Sequence, residues 1–126
     1  GLYAQRLHKK GYSITGIDFS KRSVEYAKKL ANKSQLEINY VYKNYLELDY
    51  QEEFNLILLI YCDYGVLIDS QRGTLLKHIY HALKEGGRFI FDVNTPKHYE
   101  GVKEENTWEL NKGGGFWRPH EHLCLN

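Results

Sequence analysis

Short apolar runs alternate along this chain with longer stretches in which apolar residues return every three or four positions, and that alternation predicts the architecture. Residues 13–17 (Ser-Ile-Thr-Gly-Ile) read as a strand of small and β-branched residues, residues 37–42 as a second strand and residues 88–93 as a fourth. The third, residues 54–60, is apolar apart from Asn55, which suits a strand covered on both faces. Helical patterns fill the gaps. Residues 1–11 carry a glycine at each end, with Gly11 as the stop; a second helix runs from an N-cap at Ser20 to about Asn32. A third opens at Asp69 or Ser70 and continues to Lys84, with Leu75, Leu76, Ile79 and Leu83 at helical spacing, before Glu85-Gly86-Gly87 ends it. Strands alternating with helices predict an α/β fold: a mostly parallel sheet flanked by helices.

The alternation stops after Asn94-Thr95-Pro96. Residues 97–103 read as a polar connection, and residues 106–111 and 116–118 as two strands of a β-hairpin across Lys112-Gly113-Gly114-Gly115. Those glycines suit the positive φ angles of a turn better than a phosphate loop, because no strand-to-helix context surrounds them. The expected division is a core over residues 1–96 and a cap over residues 97–126.

Charge and composition narrow the function classes. Seventeen Lys and Arg stand against sixteen Asp and Glu, scattered rather than clustered, so no nucleic-acid groove is expected. Cys62 and Cys124 are too few for a disulfide framework. No signal peptide or polybasic anchor is visible, and the longest apolar run is too short to span a bilayer; a cytoplasmic location without membrane attachment is the default expectation.

The first candidate for chemistry is Asp18, which ends a strand just before a helix opens. In open α/β sheets ligands bind outside the carboxyl ends of the strands, where an acid can accept hydrogen bonds from both hydroxyls of a ribose. An exposed Asp capping the next helix is the competing reading. Asp18 lies seventeen residues beyond Gly1, near the ~20-residue separation between a dinucleotide-type glycine loop and its ribose acid. Two later strand ends carry similar candidates. Asn44 can accept through its side-chain oxygen or simply turn the chain, and Asp63 in Tyr61-Cys62-Asp63-Tyr64-Gly65 can act as an acid or cap a turn.

The run from Gly1 to Asp18 and the order of elements behind it resemble the class I S-adenosylmethionine-dependent methyltransferases, clearly as far as Val93 and loosely beyond. The stretch Leu83-Lys84-Glu85-Gly86-Gly87-Arg88-Phe89-Ile90-Phe91-Asp92 resembles that family's helix, glycine turn and fifth strand. The resemblance implies a Rossmann-like sheet and S-adenosyl-L-methionine as cofactor. It makes Gly1 the last glycine of the loop under the methionine moiety and Asp18, with Phe19 beside it, the ribose site. It sets Asn44 and the Tyr45 backbone against the adenine, and Cys62 and Asp63 against cofactor and acceptor. Tyr64, Trp108, Phe116 and Trp117 become substrate-side candidates, the last three as a lid. The acceptor implied is a small molecule, with a macromolecule as the alternative. No catalytic residue is singled out: methyl transfer is an in-line displacement, and Asp63 and the histidines are conceivable bases without a signal that selects one.

Part of the family pattern is missing. Its first strand and earlier loop glycines would precede Gly1, and the chain contains no methionine, so these residues are expected to be an internal piece of a longer protein. In the family that strand lies between the second and the fourth. Without it two inner edges stay unpaired, which predicts an unstable, strand-swapped or rearranged fragment and self-association through those edges, and leaves the activity of these residues alone in question. Asn94-Thr95-Pro96 follows the wrong strand, and lacks the second proline and the aromatic, for the signature of nucleic-acid amino methyltransferases.

His120, His122 and Cys124 alternate, as three metal ligands or as one side of an ordinary amphipathic strand; with no fourth ligand visible, no metal is assigned. The aromatic load of eleven Tyr, five Phe and two Trp would suit a sulfonium pocket, although most such rings serve strands and core. Two other classes stay open beside methyl transfer: an NAD(P)-dependent oxidoreductase, and a non-catalytic nucleoside-binding or scaffold fragment.

Overall fold

The structure, a computed structural model, describes residues 1–101, 107–114 and 120–125. The chain divides into two compact units, Gly1–Lys43 with Lys103–Asn126, and Asn44–Val102.

The first unit opens with α1 (Leu2–His8), capped by Gly1, followed by β1 (Thr15–Asp18), α2 (Lys21–Lys33) and β2 (Asn39–Tyr42). Gly11 at φ +91° lets the chain leave α1, with its N–H donating to the His8 carbonyl at 2.8 Å. Ser20 caps α2 as the sequence predicts, its Oγ accepting the Ser23 N–H at 3.2 Å. β1 and β2 are parallel and in register from Thr15↔Asn39 to Asp18↔Tyr42. Val24, Ala27 and Ala31, at i, i+3 and i+7, form the buried stripe of α2 and enclose Tyr40 in a small core edged by Ala4, Leu36 and Ile38.

Gly16 faces Tyr40 across the ladder, and the ring lies directly over it: a Cβ at Gly16 would stand 2.8 Å from Tyr40 Cδ1. Gly16→Ala should therefore destabilise the unit by about 1–3 kcal/mol, because a buried ring must leave its rotamer. Urea denaturation measures this, and an unchanged midpoint would contradict the packing described.

The second unit contains β3 (Phe54–Leu59), α3 (Asp69–Ala82), β4 (Leu83–Phe91) and the single turn α4 (Pro96–Tyr99), with 3₁₀ turns at Tyr45–Glu47 and Asp63–Val66. β3 and β4 are parallel. Leu67, Leu75 and Ile79 form its core, with Ile57, Leu59, Phe89 and Tyr64 among the side chains packed against it.

Several details depart from the sequence reading. The N-cap of α3 is Ile68, whose N–H donates to Gln71 Oε1 at 3.2 Å; Asp69 instead occupies the first turn, where its charge suits the helix dipole. The helix ends at Ala82 and β4 begins at once, so Glu85-Gly86-Gly87 lies inside a strand. Pairing there jumps from Phe54↔Leu83 to Leu56↔Arg88, a bulge that Gly86 accommodates at φ +74°. β3 is not covered on both faces among the described residues. Ile57, Leu59 and Phe89 meet the core, while Leu56 and Ile90, on the alternate positions, are 45% and 50% exposed.

After α4, β5 (Trp108–Asn111) pairs antiparallel with β6 (His122–Leu125), as Leu110↔Leu123 and its neighbours show. A hairpin is present, with β5 paired to 122–125; the predicted strand 116–118 lies outside the described residues. Residues 122–125 alternate as an amphipathic strand does, so they supply the ladder. Each strand has one partner among the described residues, in the pairs β1–β2, β3–β4 and β5–β6. No helix among the described residues is long and apolar enough to cross a membrane.

Candidate functional site

Asp18 is the last residue of β1, and it is exposed. The strand carries its backbone: the Lys43 N–H, just past β2, donates to the Asp18 carbonyl at 3.2 Å. The side chain is held as well, with Oδ1 accepting the Ser20 N–H at 2.8 Å. One carboxylate oxygen is thus fixed by the turn into α2, and the second oxygen's lone pairs can serve another donor. Phe19, 64% exposed, follows it. Gly1 is exposed, and a Cβ there would make a tight contact, 3.3 Å from Tyr40 Oη and 3.4 Å from Ala27 Cβ. The Tyr40 hydroxyl donates to the Gly1 carbonyl at 3.4 Å, tying the start of α1 to β2. Burial pushes the Tyr40 phenol up.

In the second unit Asn44 Oδ1 accepts the Leu46 N–H at 3.0 Å and caps the 3₁₀ turn Tyr45–Glu47. This is the chain-turning role; an amide oxygen nonetheless has a second lone pair. Tyr45 is partly buried, and that burial, with the Asp63 charge second, raises its phenol.

A polar arrangement lies at the carboxyl ends of β3 and β4. Beyond β3, Tyr61 and Cys62 both adopt positive φ, +79° and +59°. The Cys62 N–H donates to Asp92 Oδ1 at 3.0 Å, and its thiol reaches Asp92 Oδ2 at 3.7 Å and Asn94 Oδ1 at 3.5 Å. Arg72, on the first turn of α3, closes the following turn. Its Nε and Nη2 donate to the Tyr64 and Gly65 carbonyls at 3.3 and 3.2 Å, while Nη1 pairs with Asp69 Oδ1 at 3.1 Å. The guanidinium also stands 5.6 Å from the Tyr64 ring centre, and that ring packs 4.7 Å from Phe91. Cys62, Tyr64, Arg72, Val93, Asn94 and Tyr99 border a cleft of about 370 Å³, and Asn94 Nδ2 donates to the Tyr99 hydroxyl at 3.2 Å.

Partial burial first, then the Asp92 and Asp63 carboxylates, push the Cys62 thiol up. Alkylation of Cys62 by iodoacetamide should therefore trail that of free cysteine at pH 8, because less of it is thiolate. Peptide mapping checks this, and a faster rate would contradict the carboxylate neighbourhood.

Of the residues singled out from sequence, Cys62 and Tyr64 share the cleft, and Asn44, Tyr45 and Asp63 belong to the same unit. Gly1, Asp18 and Phe19 belong to the other unit. Trp108 is exposed on β5; Phe116 and Trp117 lie outside the described residues. Asn111 Nδ2 donates to Cys124 Sγ at 3.3 Å, and no three His, Cys, Asp or Glu side chains among the described residues gather as a metal site would require. Asp92, Asn94, Arg72 and Tyr99 were not singled out from sequence. A signal for Asp92 was present: Phe89-Ile90-Phe91-Asp92 ends an apolar strand with an acid, as Ile17-Asp18 does.

Residues 1–87 match the methyltransferase domain family. A curated protein of Geobacillus sp. (strain WCH70), named as a candidate methyltransferase, is 33% identical over 113 residues, which is 88% of this chain and 45% of that protein. An S-adenosylmethionine-dependent methyltransferase from Clostridium acetobutylicum ATCC 824 shares the fold at a TM-score of 0.73 and 22% identity, over 87% of this chain and 50% of the other. A crystal structure of a Pyrococcus horikoshii OT3 protein gives 0.68 at 18% identity, over 72% and 43%. The chain thus spans about half the length of these relatives.

Proposed function

The chain belongs to the class I S-adenosylmethionine-dependent methyltransferase family, and from that membership we propose that the intact protein transfers a methyl group from S-adenosyl-L-methionine to a small-molecule acceptor. The observation that carries this reading is Asp18: an exposed acid at the carboxyl end of a parallel strand, its rotamer fixed through one oxygen by Ser20. The donor set fits a nucleoside cofactor. Asp18 accepts from the ribose hydroxyls with Phe19 beside it, Asn44 and the Tyr45 backbone meet the adenine, and Gly1 borders the methionine end. Cys62 and Asp63 serve the reacting side, with Tyr64 and Trp108 toward the acceptor; the other two acceptor candidates, Phe116 and Trp117, lie outside the described residues.

The cofactor supplies an electrophilic methyl on a sulfonium. The chain's residues bind and align, and alignment for in-line displacement can contribute about 7–11 kcal/mol. The raised Cys62 thiol stays protonated near neutrality, so it donates hydrogen bonds rather than attacking. No base is assigned. Residues 1–96 act in this reading as cofactor core and 97–126 as acceptor cap. The protein is cytoplasmic and free of nucleic acid and membrane; for these residues without the family's first strand, the edges of β1 and β3 that are unpaired among the described residues are where copies would associate.

Calorimetric titration of the intact protein with S-adenosylhomocysteine and with NAD tests the proposal. Binding of the first and not the second is expected. NAD binding alone would replace this reading with an oxidoreductase, and binding of neither with a scaffold.

A further inference from the structure

Two adjacent residues that both carry a Cβ, Tyr61 and Cys62, hold left-handed backbone at the end of β3, where φ is +79° and +59°. That region crowds Cβ against the following carbonyl, so single visits are uncommon and a consecutive pair persists only if neighbours impose it. The neighbour here is identifiable. Asp92, one residue past β4, accepts the Cys62 N–H with Oδ1 at 3.0 Å and the thiol with Oδ2 at 3.7 Å, gripping the same residue through backbone and side chain. Asn94 Oδ1, 3.5 Å from the sulfur, is the alternative acceptor for the thiol's single proton. The Cys62 carbonyl in turn accepts the Gly65 N–H at 2.8 Å, which starts the 3₁₀ turn Asp63–Val66. A chain of contacts therefore runs from β4 through Asp92 and Cys62 into the turn that carries Asp63 and Tyr64.

We propose that Asp92 is a positioning residue, whose carboxylate holds the left-handed Tyr61–Cys62 turn and thereby sets the placement of Asp63 and Tyr64 at the rim of the cleft. Its consequence for catalysis rests on the methyl-transfer reading; its structural content does not. Asp92 touches neither reacting atom in this account, and acts through Cys62.

Amide hydrogen exchange at Gly65, read by NMR on the intact protein, reports the turn without any ligand. Asp92→Ala should speed Gly65 exchange about tenfold or more, since the turn opens locally once its anchor is gone. Asp92→Asn keeps an acceptor oxygen for the Cys62 N–H and should retain protection. In the Asp92→Ala background Cys62→Gly should restore protection, because glycine adopts the left-handed region without a Cβ penalty. An ordinary loss of packing would not be repaired by removing a side chain. If Asp92→Ala alone does not fold, the double variant must fold and show protected Gly65. Unchanged exchange in Asp92→Ala, loss of protection in Asp92→Asn, or no rescue by glycine each overturns the proposal. S-adenosylhomocysteine titration of the same samples keeps the two questions apart. Wild-type binding weakened about tenfold by Asp92→Ala ties the turn to the cofactor rim, whereas a wild type that binds none sinks the methyl-transfer reading and leaves the exchange result to decide the role of Asp92.

Discussion

Asp18→Ala should weaken S-adenosylhomocysteine binding to the intact protein by about 2–4 kcal/mol, roughly 30- to 800-fold, with little change in thermal midpoint. On the proposed reading, the magnitude follows from removing a charged acceptor that serves two hydroxyls and leaving both without that partner. The structure adds a control. Asp18 Oδ1 also accepts the Ser20 N–H at 2.8 Å, so alanine removes a turn contact together with the ligand contact. Asp18→Asn separates the two: its amide oxygen can keep the Ser20 bond, but it brings one acceptor and no charge to the diol. Most of the affinity loss should persist in Asp18→Asn. Binding unchanged in both variants would remove Asp18 from the site, and a loss confined to alanine would assign it to the turn alone.

Leu75→Ala should cost about 2–5 kcal/mol of stability, a large part of the ~5–15 kcal/mol available to a domain. Leu75 is 1% exposed and stands in the core beside Leu67 and Ile79, under β3 and β4. Truncation leaves a void lined by groups that β pairing holds in place, so the site cannot collapse fully. The next residue is the internal comparison: Leu76, 41% exposed, should lose less than about 1 kcal/mol on the same change. Urea denaturation measures both, and equal losses would contradict the assignment of Leu75 to the core. The α3 packing also underlies Tyr64, so Leu75→Ala should loosen the rim of the cleft before global unfolding.

Where side-chain spacing and local capping decide an element, the chain declared it in advance. Ser20 followed by apolar residues at i, i+3 and i+7 makes α2 wherever the chain goes, and Gly11 ends α1 because no other residue takes φ +91° at so little cost. The order of strands and helices, and the acid closing β1, were legible for the same reason: period and caps are local properties of sequence. Contacts between distant residues were not. Nothing near residue 85 announces that Glu85-Gly86-Gly87 is a bulge within β4, since that depends on how Phe54 and Leu56 pair with it. Nothing near Tyr61 announces a left-handed pair, because it is Asp92, thirty residues beyond Cys62, that accepts the Cys62 N–H. The partner of β5 was likewise chosen by ladder pairing. Local chemistry thus determined which segments are helix or strand and which carboxylate ends β1, whereas the strain at Cys62, the one-sided cover of β3 and the residues bordering the cleft arise only when separate segments meet, because hydrogen bonds and packing across the fold can outweigh any single residue's preference.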